Sequence, residues 1–177
     1  MQRLSLLMIN LIGGVAVLGS YAVGISSHPG QTDLLWGTLP EGVRGIYTAN
    51  MLPAAIGYLV AFAYLMAAPP ERLQHAGKPA LPTLSTVYAT FLASSTAWMP
   101  LCWVALDGGR DDLIGLIKLV LLLAGLSSAG LLLLLARLTD PPRPRWWRAS
   151  LIGMGFLVLQ CAVLDALIWP QFFVIPG

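Results

Sequence analysis

Residues 113–136 read LIGLIKLVLLLAGLSSAGLLLLLA, a stretch with one charge, Lys118, and no proline. Crossing a bilayer core of about 30 Å takes about 20 predominantly apolar residues in a helix. This run meets that length. Backbone groups in lipid must bond within their own segment or in a closed barrel. A barrel strand alternates apolar and polar residues, and Leu131 to Leu135 do not alternate. The stretch is therefore a transmembrane helix.

Four further runs pass the same test, giving spans at about 4–26, 46–67, 83–105, 113–136 and 148–169. Their breaks have loop chemistry. His28-Pro29-Gly30 follows the first span, and Pro69-Pro70 the second, since proline removes a helical hydrogen bond. Asp107-Gly108-Gly109 follows the third span. Asp111 and Asp112 precede the fourth, where negative charge suits the helix dipole. Asp140-Pro141-Pro142-Arg143-Pro144 separates the fourth from the fifth. Arg3 ahead of an apolar run imitates a secretory signal, but the run is long enough to span and reads as a retained first helix. The expected fold is an all-α, polytopic membrane protein: one five-transmembrane-helix bundle over residues 1–177.

Composition agrees. The 177 residues are 57% hydrophobic and 10% charged, with a mean hydropathy of +0.77. A soluble domain is about 25% charged, and so short a chain could not bury this much apolar surface in water. The net charge of +2 forms no basic face of the kind nucleic acid needs. The basic residues do set an orientation. Arg3, Arg72, Lys78, Arg137, Arg143, Arg145 and Arg148 share one side, seven against the three of Arg44, Arg110 and Lys118 on the other. The N-terminus is thus expected in the cytoplasm. Trp146 and Trp147 read as an interfacial anchor on that side, with Trp36, Trp103 and Trp169 near the opposite face. Ser20-xxx-Gly24, Ala124-xxx-Ser128 and Gly125-xxx-Ala129 are small-residue pairs that suit close helix packing, within the chain or in a homodimer.

Signals for catalysis are weak. The two cysteines, Cys102 and Cys161, lie far apart inside apolar runs and read as small buried hydrophobes. His28 and His75 follow the first and second spans, on opposite sides of the membrane. They cannot share a metal or haem, and each reads as a solvated loop residue. No zincin, nucleophile-elbow or phosphate-loop motif is present, and no paired halves suggest a secondary transporter. No catalytic or metal-ligating residue is assigned.

Two charges do fall within spans. Lys118 sits near the start of the fourth and Asp165 near the end of the fifth, at similar depth in the outer leaflet. An intramembrane charge costs a few kcal/mol or more, roughly, unless paired, hydrated or snorkelling. Either the two pair, or Asp165 alone lines a polar pocket; or Lys118 snorkels to the headgroups while Asp165 bonds a neighbouring helix. Tyr47, Thr48 and Asn50 open the second span in the same leaflet. Ser94, Ser95 and Thr96 lie midway along the third, followed by Trp98, Pro100 and Trp103, and Trp169 closes the fifth. Pro100 is expected to kink its helix. The first loop, about 27–45, would lie over this end. The set suggests an aromatic cavity with a few polar groups and a lid, or an aromatic belt.

The segment Leu92-Ala93-Ser94-Ser95-Thr96-Ala97-Trp98-Met99-Pro100-Leu101-Cys102-Trp103 resembles the third-helix signature of the TspO family, roughly L-x-x-N-x-x-W-x-P-x-F-F. That family is also called translocator protein, peripheral benzodiazepine receptor or tryptophan-rich sensory protein. Ser95 stands at the asparagine, and Cys102-Trp103 at the aromatic pair. In the fifth span Leu164-Asp165, with Trp169 after it, is similar to the family's Leu-Asn and Trp, with aspartate for asparagine. Trp36-Gly37-Thr38-Leu39-Pro40 stands in place of the family's W-x-P-P loop. The resemblance implies a five-helix bundle, often dimeric, with a pocket under the first loop for porphyrins, haem-like tetrapyrroles or sterols. It carries Trp98, Asp165 and Trp169 into that pocket. No resident cofactor is otherwise expected; partners are the lipid bilayer, a hydrophobic small molecule, and a homodimer mate or other membrane subunits. The leading expectation is a ligand-binding or translocating membrane protein using Trp36, Tyr47, Asn50, Ser95, Trp98, Trp103, Lys118, Asp165 and Trp169. The alternatives are a structural subunit of a larger membrane complex and a membrane enzyme using Asp165.

Overall fold

The structure, a computed structural model, describes residues 2–139 and 141–175; Asp140, placed by the sequence in the fourth break, lies outside them. Five helices are each long and apolar enough to cross a membrane. Four are α1 (Gln2–Ser27), α2 (Glu41–Ala67), α3 (Leu81–Gly108) and α4 (Ile114–Ala136), and the fifth, Pro144–Gln171, begins as α5 (Pro144–Val158). The fifth span continues beyond α5 as π-helical turns, Leu159–Ile168. The chain is an all-α bundle with the composition of a multi-pass integral membrane protein.

Helix ends outrun the apolar runs. α2 begins at Glu41 rather than near 46, because Pro40 sets the entry and Glu41 complements the dipole. The first loop is correspondingly shorter than 27–45, and Thr32–Trp36 within it forms a 3-10 turn. α5 begins at Pro144 rather than near 148, with proline in the first turn where no donor is lost. α3 runs unbroken through Pro100 and stops at Gly109, whose left-handed φ of 58° caps it. Between α2 and α3 a small hairpin pairs β1 (Gln74–His75) with β2 (Lys78–Pro79) through the positive-φ turn Ala76-Gly77.

The packing order is α1 on α3, α3 on α4, α4 on α5 and its π continuation, and α5 on α2. α1 and α2 close the ring only lightly. The helices come closest where side chains vanish. A Cβ on Gly57 would overlap the backbone of Gly153, and one on Gly153 would overlap Gly57. Gly125 faces Ala162, whose Cα would lie 2.9 Å from an added Cβ, and Gly24 faces Met99 and Trp103. The small residues at Gly24 and Gly125 thus serve packing within the chain. Asn10, a polar residue inside α1, accepts the Tyr58 hydroxyl of α2 and donates to Leu6 O at 2.9 Å. That contact ties α1 to α2 at one level and leaves them apart elsewhere.

Both histidines are structural clamps rather than solvated loop residues. His75 Nε2 lies 2.5 Å from Leu134 O, joining the hairpin to α4. His28 Nδ1 meets Gly24 O at 2.8 Å and Nε2 meets Asp107 Oδ2 at 3.0 Å, while the ring stacks on Trp103 at 3.8 Å. Two acceptors require two N–H groups, so this geometry favours the imidazolium. The hydrogen bond to Gly24 O, then that to Asp107, raises its pKa above the ordinary histidine value. A raised folded pKa stabilises the fold fully below about pH 6.5, and the contribution is lost as pH rises through the folded value. The thermal midpoint should therefore fall from about pH 6 to about pH 9, and His28→Gln should flatten that slope.

Candidate functional site

Where α1 and α2 part, the bundle holds a cavity of about 660 Å³, open between the two helices. That lies within the roughly 300–1,000 Å³ of small-molecule sites. Its top is the first loop, with Thr32, Leu35 and Trp36, and its lower wall includes Tyr58 and Phe91. The aromatic groups are in ring contact, Trp98–Trp169 and Trp36–Tyr47 edge to face and Tyr21–Trp98 tilted. Trp98 meets Trp169 at 5.5 Å and Tyr21 at 5.6 Å, and Trp36 meets Tyr47 at 5.7 Å.

The first loop is tied down as a lid. Trp169 Nε1 donates to Leu35 O at 2.8 Å, and Thr38 N–H donates to Phe172 O at 2.9 Å. Gly37, at φ 54°, passes so close to Phe172 that a Cβ there would meet its carbonyl oxygen. Leu35 and Leu39 are buried with Trp169 and Phe173. Each such leucine contributes on the order of 1.5–3 kcal/mol.

The polar wall comes from the π-helical stretch. On an α-helix, residues five apart point about 140° from one another, at 100° per residue. In π turns the backbone hydrogen bonds run i→i+5 and the turn is wider, which brings residues five apart toward the same face. Gln160 Nε2 therefore reaches Asp165 Oδ1 at 3.0 Å. Asn50 Nδ2 on α2 donates to Gln160 Oε1 at 3.1 Å and to Phe156 O at 3.1 Å, which fixes the Gln160 amide with its NH2 toward Asp165. Tyr47 donates its hydroxyl to Leu164 O at 2.5 Å, bracing the same turn.

Of the residues expected from sequence, Trp36, Tyr47, Ser95, Trp98, Asp165 and Trp169 all line this cavity. Asn50 stands one hydrogen bond behind it, buried. Trp103 is buried beside it under His28. Lys118 does not join: it is exposed on the outer face of α4 and forms no pair with Asp165. α4 is apolar all round, so nothing in its sequence fixed which way Lys118 faces. The sequence reading missed Tyr21, Tyr58, Gln160 and Cys161, which also line the cavity. Gln160, a lone amide in an apolar run, was the available signal.

Two further features bear on chemistry. The Trp98 Nε1 donor is buried without a hydrogen-bond partner among the described residues. An unpaired buried donor costs about 1–3 kcal/mol. Among the described residues no three His, Cys, Asp or Glu side chains gather as a metal site.

The chain matches no protein-family model, no curated protein and no solved structure.

Proposed function

We propose that this protein binds a hydrophobic small molecule in the cavity beneath its first loop, taking it from the bilayer and holding or passing it on. The observation that carries the reading is one 660 Å³ space walled by aromatic rings, with the Gln160–Asp165 polar pair on one side. Such a mixture is what orients a largely apolar ligand. The entry route follows from exposure. Leu18, Met51 and Leu59 line the cavity yet are 73%, 45% and 59% exposed, because they stand at the gap between α1 and α2. That gap faces the region lipid would occupy, whereas the lid above is bonded shut. The TspO-like resemblance supplies candidate ligands, a tetrapyrrole or a sterol, whose rigid flat bodies suit aromatic walls.

The test is a titration of the purified protein in mild detergent with protoporphyrin IX and with the fluorescent sterol dehydroergosterol, following tryptophan quenching or energy transfer. Saturable binding of either is expected, weakened about tenfold in Trp98→Phe, which replaces the indole on the cavity wall with a smaller ring. A folded sample that saturates with neither probe would remove the tetrapyrrole and sterol candidates; failure with a neutral and a cationic aromatic probe as well would remove the ligand-binding reading and favour the subunit of a larger membrane complex.

A further inference from the structure

We propose that the ligand is a lipophilic organic cation: an apolar, ring-containing body carrying a protonated nitrogen that sits against Asp165. The inference rests on the reading that a hydrophobic molecule occupies this cavity, and it replaces the two candidates the resemblance supplies: a sterol carries no charge, and protoporphyrin carries carboxylates.

Asp165 is set up as an acceptor. Gln160 turns its NH2 toward Oδ1 at 3.0 Å, and Asn50 holds Gln160 in that orientation. Among the described residues no lysine, arginine or histidine lines the cavity. The basic groups at this end of the bundle are engaged or turned away: His28 is held by Gly24 O and Asp107. Arg44 donates to Leu39 O at 3.0 Å, pairs with Asp33 at 3.5 Å and stands over Trp36 from the loop side. Lys118 points outward. A carboxylate inside an apolar wall is costly without a partner, and here the protein supplies an amide but no countercharge.

The surrounding surfaces suit a cation as well. Tyr21, Trp98 and Trp169 line the cavity with Asp165 and form one ring-to-ring chain. A cation over an aromatic face gains about 0.5–2 kcal/mol, more when desolvated. A ligand bearing carboxylates would instead meet Asp165 with like charge, which is unfavourable in a low-dielectric site. The wide lateral mouth admits molecules already dissolved in lipid, as amphiphilic amines are.

Three probes sharing one ring system separate charge from hydrophobicity: 9-anthracenemethylamine, 9-anthracenemethanol and 9-anthracenecarboxylate. Binding at pH 7 is read by tryptophan-to-anthracene energy transfer in phosphatidylcholine proteoliposomes. The amine is expected to bind about tenfold tighter than the alcohol, with the carboxylate weakest. Asp165→Asn should bring the amine to the alcohol's affinity and leave the alcohol within about twofold. Equal affinity of amine and alcohol for the wild type, or equal weakening of both by Asp165→Asn, would overturn the cation assignment while leaving a ligand site. If none of the three saturates, the ligand-binding reading falls with it. The wild-type ranking decides the matter even where the variant fails to fold.

Discussion

Gly153→Leu is expected to cost about 4 kcal/mol or more and to leave little folded protein, whereas Gly155→Leu, one face away, leaves the thermal midpoint nearly unchanged. Both positions lie on α5 in the same apolar run, so hydrophobicity does not distinguish them. Their surroundings do. A Cβ at Gly153 would run into the Cα of Gly57, while one at Gly155 meets nothing within 4 Å. The obstacle at Gly153 is backbone, which cannot rotate aside as a flexible side chain could. Separating α2 from α5 would also pull Asn50 from Gln160 and from Phe156 O, both at 3.1 Å. The polar wall of the cavity would go with the crossing. Without a hydrophobic driving force in lipid, helices are held by such close packing and by interhelical hydrogen bonds. Both would be lost at one site. Thermal unfolding in mild detergent, followed by circular dichroism, measures the difference. Equal midpoints for the two variants would show that the crossing is not tight.

The five spans were legible because length and unbroken apolarity leave a helix few other options in lipid. What hydropathy cannot mark is the end of a helix beyond the hydrocarbon, and so Glu41 and Pro144 were missed as starting points. The site was partly legible for a related reason. A tryptophan, tyrosine or acid inside an apolar run stands out, and Trp98, Tyr47 and Asp165 were found that way. Rotation was the missing quantity. An all-round apolar helix such as α4 carries no periodic signal for which residue faces inward, and Lys118 was placed by depth alone. The Gln160–Asp165 pair needed a further fact, the π-helical register, since α-helical spacing would have turned the two apart. Gly57 and Gly153 were visible as glycines, with Ala61 and Ala149 at small-xxx-small spacing. Which such pairs face a neighbour depends again on rotation.

Ala55→Trp is expected to slow ligand association about tenfold or more while Gly37→Ala leaves the association rate within about twofold. The two substitutions test opposite doors. Ala55 is exposed and lines the cavity, beside Leu59 and Met51 at the gap between α1 and α2. An indole there narrows a lateral entrance and leaves Asp165 and Trp98 untouched. Gly37 lines nothing, but it holds the lid: its φ of 54° suits glycine, and a Cβ would displace it from Phe172. Alanine there loosens the loop and weakens the tie from Thr38 N–H to Phe172 O. If ligand came from water through the lid, loosening would speed entry and a bulky group at the side would matter little. Entry from lipid predicts the reverse, because the lateral gap is already open and the lid is already bonded. Stopped-flow energy transfer from tryptophan to 9-anthracenemethylamine in proteoliposomes measures both rates. An association rate that rises with Gly37→Ala and ignores Ala55→Trp would move the entrance to the lid. That result would make the first loop a gate, and the hydrogen bond from Trp169 to Leu35 O its latch.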